Sequence, residues 1–312
     1  MMTDDLALYI RCKNIPVCFN QDDGIETLWR EHAFAQHRRP VEQPEQSLLD
    51  LKLALAQRIY HDCHFCERRC HVDRTITEGY CGVRDAALAS EFLHYGEEPM
   101  LVPSHTIFFS GCTFDCIFCQ NWDISHRQDG MYVRPEQMAA IIEQRDGINV
   151  NWVGGDPTPN LPYILEVLRA CSRDVPHIWN SNMYCSQVTM QLLDGVMDIY
   201  LTDFKYGNDA CAVELSNAPS YWQLITRNHR LAARQGNLIV RHLVMPGHVD
   251  CCSLPIMNWL AVQVPDAIVN VMDQYRPFYK ASQHPELDRS ITREEYCQVV
   301  EHARRIGLQL VD

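Results

Sequence analysis

From about residue 105 onward, short apolar runs alternate with segments whose apolar positions recur every three or four residues. The runs are HTIFFS (105–110), INVNWV (148–153), HIWNSN (177–182), DIYLTDF (198–204), NLIVRHLV (237–244) and AIVNVM (267–272). Between them lie PEQMAAIIEQ, PYILEVLRACS, SQVTMQLLDG, YWQLITRNHRLAARQG and LPIMNWLAVQ, each with a helical period. Runs apolar on both faces, separated by helices, predict an α/β fold with a parallel sheet covered by helices. Six such units in about 170 residues suit a partial (β/α)6 barrel better than a closed eight-fold one. A further helix, ITREEYCQVVEHARRIG, and a short strand, LQLV, follow.

The part before the barrel reads differently. Residues 1–60 predict a helical N-terminal segment, with Ser47 capping a helix through LLDLKLALAQRIY whose Leu48, Leu51, Leu55 and Ile59 share one face. The stretch RRPVEQPEQ, 38–46, reads as a linker because two prolines and its charges break any period. Residues 61–104 form a cysteine-rich module, and 105–312 the barrel.

Functional side chains in such a barrel sit at the C-terminal ends of its strands. Those ends carry GCTFDCIFCQN, GGDPTP, NSN, DFK, RHLVMPG and DQYRP in order. Composition narrows the chemistry. The 312 residues are 46% hydrophobic and 21% charged, with a net charge of −13, a poor match for a nonspecific nucleic-acid binder. No apolar run approaches the ~20 residues of a membrane helix. The N-terminus, MMTDDLALYIRCKN, has acids where a secretory signal has bases. A cytoplasmic chain with reduced thiols is the expectation, with no nucleic-acid or membrane partner.

Cysteine is the unusual quantity, at 15 residues. Cys112, Cys116 and Cys119 are spaced C-x3-C-x2-C in one loop directly after an apolar run. Thiolate suits iron–sulfur chemistry, and three thiolates on a four-iron cubane leave one iron open to a substrate. Phe108, Phe109, Phe114, Phe118 and Trp122 surround the loop and would keep water away. The competing reading is a zinc site that borrows a fourth ligand. Upstream, Cys63, Cys66, Cys70 and Cys81 make a complete tetrathiolate set, which suits structural zinc or a second, electron-relaying iron–sulfur cluster equally. His61, His64 and His71 lie beside it. The scattered cysteines, 12, 18, 171, 185, 211, 251, 252 and 297, read as buried small hydrophobes.

The string FFSGCTFDCIFCQNWDIS resembles the signature of radical S-adenosylmethionine (radical SAM) enzymes. With YLTDFKYG, IVRHLVMPG and VMDQYRP, the chain from about residue 60 resembles homologues of the pyruvate formate-lyase activating enzyme that carry an N-terminal cysteine extension. The resemblance implies a 4Fe–4S cluster on Cys112, Cys116 and Cys119, with S-adenosylmethionine on the open iron. It implies that Gly154, Gly155 and Asp156 receive the methionine amine, with Asp standing where the family has Glu. Asn180, Ser181 and Asn182 match a segment that reaches the ribose or a bound ion. Asp203 and Lys205 match an Asp-x-Lys at the fourth strand end, with Lys205 meeting the methionine carboxylate. Arg241 and His242 match the fifth strand, compensating that carboxylate or flanking the adenosine.

The expected function is therefore reductive cleavage of S-adenosylmethionine to a 5′-deoxyadenosyl radical that abstracts hydrogen. The resemblance implies a flavodoxin or ferredoxin as electron donor and a glycyl-radical protein as substrate. Radical modification of a peptide or small molecule is the alternative within the class, and a non-catalytic zinc-binding scaffold is the alternative outside it. The radical chemistry needs no general acid–base pair and no protein nucleophile in its first step.

Overall fold

The computed structural model describes residues 6–127 and 129–311. Its centre is an open eight-stranded sheet in sequential order. Six strands match the six apolar runs: β2 (Ser104–Phe109), β3 (Asn149–Gly154), β4 (His177–Ser181), β5 (Ile199–Asp203), β6 (Asn237–Leu243) and β7 (Ile268–Met272). They are mutually parallel, and the short β8 (Gln309–Leu310) adds to β7 in the same sense. The expected helices cover the outside as α5 (Pro135–Gln144), α6 (Leu161–Ala170), α7 (Gln187–Leu193), α9 (Tyr221–Gln235), α10 (Leu254–Gln263) and α11 (Arg293–Arg305). This is the partial barrel that the alternation predicts.

One strand lies outside the expected barrel. β1 (Leu88–His94) pairs antiparallel with β2, so the sheet begins at residue 88 and not at 105. The segment assigned to a cysteine-rich module through residue 104 is thus partly sheet. Its edge position leaves Phe92 exposed and denies it the near-continuous apolar run that marks the buried strands.

Period two decides which side chains enter the barrel. Leu101, Ile178, Leu201 and Ile239 form an apolar plug, with Ile199 and Ile268 against it. Two residues further along each strand the same inward face turns polar: Asn180, Asp203, Arg241 and Asn270 line a cavity above the plug. The opposite faces carry Trp179, Tyr200, Val240 and Val269, fully buried under the helices.

The N-terminal segment packs as α1 (Leu8–Lys13), α2 (Ile25–Ala35) and α3 (Leu48–Tyr60). Ser47 caps α3 as expected: its hydroxyl accepts from Asp50 N–H at 3.3 Å, and the Asp50 carboxylate accepts from Ser47 N–H at 2.9 Å. Such a box contributes about 1 kcal/mol. Leu48, Leu51, Leu55 and Ile59 are all buried. Lys52, on the same helix, is buried too; its Nζ reaches Gln191 O at 2.9 Å and His32 Nε2 at 3.1 Å, tying the segment to α7.

Candidate functional site

The loop after β2 brings Cys112, Cys116 and Cys119 to the wall of one cavity of about 530 Å3. A helix absent from the sequence expectation, α8 (Asp209–Ser216), holds this loop by its C-terminal end. Asp115 N–H donates to Ser216 O at 3.1 Å and Ile117 N–H to Leu215 O at 3.0 Å. The Ser216 hydroxyl donates to Cys116 Sγ at 2.8 Å. Phe114 and Phe118 are buried beside the thiols, Phe114 against Tyr184 and Tyr221.

All fifteen thiols are free. Burial pushes Cys112 well above the ordinary thiol range, with Asp156 adding to the effect. It pushes Cys116 up to about 12 against the opposing pull of Lys205, and it raises Cys119 as well. Neutral, free thiols around a cavity are donors that a metal ionises on binding, with release of protons. Among the described residues, two sets of three or more metal-type donors converge to within 4.8 Å, and neither the loop cysteines nor the upstream four make one of them. A single zinc ion holds its sulfurs ~3.8 Å apart, from zinc–sulfur bonds of ~2.3 Å in tetrahedral geometry. The wider loop spacing fits a multi-iron cluster, so these residues suit the group the family resemblance implies.

The end of β3 runs against the loop with no room for side chains. Gly154 has φ of +139°, and a Cβ there would lie 2.1 Å from Phe109 O. A Cβ on Gly155 would lie 2.1 Å from Gly111 O and 3.1 Å from Cys112 Cβ. Both glycines line the cavity. Asp156 does not. Its carboxylate is 1% exposed and fully engaged, accepting from Thr158 N–H at 2.9 Å, the Ser181 hydroxyl at 2.9 Å and Asn182 N–H at 3.0 Å. The expected contact of this acid with the methionine amine is corrected accordingly: Asp156 braces the strand end behind the cavity. Asn180, Ser181 and Asn182 do line the cavity, and Asn182 Nδ2 lies 3.8 Å from Cys112 Sγ.

Asp203 and Lys205 face inward as a pair, with Nζ 2.8 Å from Oδ2. Burial opposes the ammonium, but Asp203 and the Cys116 and Cys119 thiols raise Lys205 above its ordinary value. Arg241 also faces inward, already neutralised. Its Nε donates to Glu98 Oε1 at 2.8 Å, and its Nη2 to Glu98 Oε2 at 2.7 Å and to Glu97 Oε2. Asn270 Nδ2 adds a bond to Glu98 Oε1 at 2.9 Å. His242 is a second correction. Adjacent residues on a strand face opposite ways, so His242 points outward, with Nδ1 2.7 Å from Phe204 O and Nε2 2.8 Å from Ser253 Oγ. Sequence reasoning missed Glu97 and Glu98 because they sit in the β1–β2 connection, outside every strand end.

The upstream cysteines form one cluster: Cys63, Cys66 and Cys81 each sense the charge of others in the set, and burial raises all three. Buried Arg74 pulls Cys63 and Cys81 the other way. The cluster abuts the cavity loop. Cys81 O and Val83 lie where any side chain at Gly111 would stand, at 2.8 and 2.2 Å. Arg68 Nε donates to Thr113 O at 3.0 Å, and its guanidinium stacks on Tyr80. His64 and His71 turn to Asp62, and His61 to Asp73.

Comparison with known proteins follows the same geometry. The family model described as the radical SAM superfamily matches residues 106–260, from β2 into α10. An uncharacterized protein of Methanocaldococcus jannaschii is 46% identical over 280 residues, covering 87% of this chain and 82% of its own length. The pyruvate formate-lyase 1-activating enzyme of Escherichia coli is 26% identical over 153 residues, spanning 46% of this chain and 61% of that enzyme. Among solved structures, a spore photoproduct lyase shares the fold with a TM-score of 0.50 at 11% identity, over 92% of this chain and 94% of that one. The matched region begins on the strand that delivers the three thiols and ends beyond the strand that delivers Arg241, and on that ground the chain belongs to the radical SAM superfamily, whose fold implies a 4Fe–4S cluster and S-adenosylmethionine.

Proposed function

We propose that the chain reductively cleaves S-adenosylmethionine and uses the resulting radical to activate a glycyl-radical protein. The observation that carries the reading is the set of three free thiols, Cys116 buried and Cys112 and Cys119 half-buried, on one wall of a cavity whose other walls offer Lys205, Asn180 and the bare backbone of Gly154 and Gly155. Bound there, the cluster and its co-substrate supply one electron and a carbon-centred radical able to abstract hydrogen. The protein's part is placement and exclusion of water. Cys112, Cys116 and Cys119 hold three irons. Gly154 and Gly155 let the co-substrate lie against main chain, and Lys205 meets its carboxylate. Phe114 and Phe118 keep solvent from the loop.

The order of the strand-end motifs and the likeness to the Escherichia coli activating enzyme support a glycyl-radical protein as substrate. A small polar substrate is the second reading, favoured by the Glu97, Glu98, Arg241 and Asn270 group on the cavity wall. At the upstream cysteines we assign an auxiliary iron–sulfur cluster that relays electrons from a flavodoxin- or ferredoxin-type donor in the cytoplasm. The spread of its sulfurs and the contact of Cys81 with Gly111 support this.

The test is anaerobic reconstitution with iron and sulfide, reduction, and assay of methionine and 5′-deoxyadenosine. The wild-type chain forms both, and Cys116→Ala forms neither. Product formation by Cys116→Ala at the wild-type rate would overturn the assignment. The wild type holds twice the iron and sulfide of Cys66→Ala; equal iron, with zinc in the wild type, would return the upstream site to structural zinc. Incubation with pyruvate formate-lyase yields a glycyl-radical signal by electron paramagnetic resonance under the first reading and none under the second.

A further inference from the structure

Three of the cysteines expected to be scattered core residues converge with a histidine far from the cluster loop in sequence. Cys211 sits in the first turn of α8, while Cys251 and Cys252 belong to a π-helical turn, Val249–Ser253, that leads into α10, and His248 immediately precedes that turn. All four donor atoms lie within 4.8 Å of one another. Cys211 Sγ is 3.9 Å from Cys251 Sγ and 3.7 Å from His248 Nδ1. Cys251 Sγ is 3.8 Å from Cys252 Sγ and 3.4 Å from His248 Nδ1.

These separations match one coordination sphere. Tetrahedral zinc with bonds of ~2.3 Å to sulfur and ~2.0 Å to nitrogen spaces its sulfurs ~3.8 Å apart and its sulfur–nitrogen pairs ~3.5 Å apart. A disulfide would bring two sulfurs to ~2.0 Å, and none of these pairs is bonded. The far side of the imidazole agrees. His248 is buried, 7% exposed, and its Nε2 has no hydrogen-bond partner among the described residues but faces Glu286 Oε1 at 3.7 Å. Metal-bound histidines characteristically direct their second nitrogen at a carboxylate, which fixes the tautomer and the ring. Local irregularity of the π type is also frequent at functional positions.

We propose that Cys211, His248, Cys251 and Cys252 bind one zinc ion as a closed Cys3His site, separate from the radical chemistry. Three thiol protons leave as the ion enters, and no redox change occurs. A four-ligand site with no open position is structural. Its place in the fold says what it stabilises. It joins the start of α8, after β5, to the turn after β6. The same α8, at its other end, presents Ser216 to Cys116 and the Leu215 and Ser216 carbonyls to the loop. The ion therefore anchors the helix that holds the cluster loop.

X-ray absorption at the zinc edge of the intact, anaerobically purified chain tests the proposal with a readout the upstream tetrathiolate does not mimic. The expected result is a zinc shell containing sulfur and one imidazole nitrogen. His248→Gln removes the imidazole contribution, and Cys211→Ser lowers zinc by one equivalent per chain. Cys297→Ser, outside the set, keeps it. Circular dichroism and retained iron content establish that the variants fold. Absence of zinc, or a zinc shell of sulfur alone in the wild type, would overturn the site. So would unchanged zinc in folded Cys211→Ser, or an intact mass lower by two hydrogens with no zinc, which would identify a disulfide in its place.

Discussion

Replacing Arg241 by Met removes the only cation bonded to Glu98 among the described residues and leaves a carboxylate buried in the barrel beside Glu97. Stripping one partner from a buried ion pair costs about 3–5 kcal/mol. Here the lower end applies, because Asn270 still donates to Glu98 and Asn151 to Glu97, both at 2.9 Å. Over 312 residues, a loss of about 3 kcal/mol lowers the melting midpoint by roughly 5 °C. The pH dependence separates electrostatics from lost packing. In the wild type, burial would raise Glu98, but the Arg241 bonds outweigh it and hold Glu98 below its ordinary value of 4.5. That stabilisation is present above pH 4.5 and fades as pH falls through the folded-state value. In Arg241→Met burial prevails and Glu98 rises. The folded state then binds the proton more tightly than the unfolded one, and stability falls as pH climbs through the raised value. Differential scanning fluorimetry from about pH 3 to 8 measures both slopes. Adding Glu98→Gln to Arg241→Met recovers at least half of the lost midpoint. A single variant within 1 °C of wild type across this range, or no recovery in the double, would refute the reasoning.

Gly154→Ala forces a Cβ onto the Phe109 main chain at a φ of +139°. It costs about 3 kcal/mol or more through strain and a disrupted β2–β3 ladder, read as a lower melting midpoint together with loss of S-adenosylmethionine binding; a fully stable, binding-competent variant contradicts the close approach. Lys205→Met removes the charged contact proposed for the co-substrate carboxylate, worth about 1.5–3 kcal/mol. Equilibrium dialysis is expected to show a roughly 10–100-fold weaker Kd, and an unchanged Kd would remove Lys205 from the binding site. Glu295, held down to about 2 by Arg289 with help from the Gly247 and Thr292 N–H groups, closes the capping box of α11. As pH falls from 4.5 to about 2 the cap opens, and amide exchange over residues 293–298 accelerates; constant protection there would exclude the cap as the acid-labile element.

Much of this architecture is legible in the sequence because buried parallel strands leave near-continuous apolar runs and amphipathic helices leave a clear period. The thiol loop is legible because its three ligands are local. Asp156 and His242 were misjudged for one reason: motif position specifies a backbone location, whereas the direction of a side chain follows from strand parity and hydrogen bonding. β1 was hidden by its exposed edge, and α8 by the lack of an amphipathic period in DACAVELS. Cys211 and His248 are distant in sequence, and only the adjacency of β5 and β6 makes them neighbours. No local spacing rule could have joined them.

The β1–β2 hairpin carries a lesson about inheritance. It sends Glu97 and Glu98 into the barrel as counter-ions for a residue nearly 150 positions downstream, and the chain just before it roofs the thiol loop at Gly111. A barrel trimmed of its leader would bare the β2 edge, strand an uncompensated guanidinium and uncover its most oxygen-sensitive loop in one stroke. Leader and barrel are therefore one mechanical unit, and a chain shortened to the barrel calls for a neutral side chain where Arg241 stands.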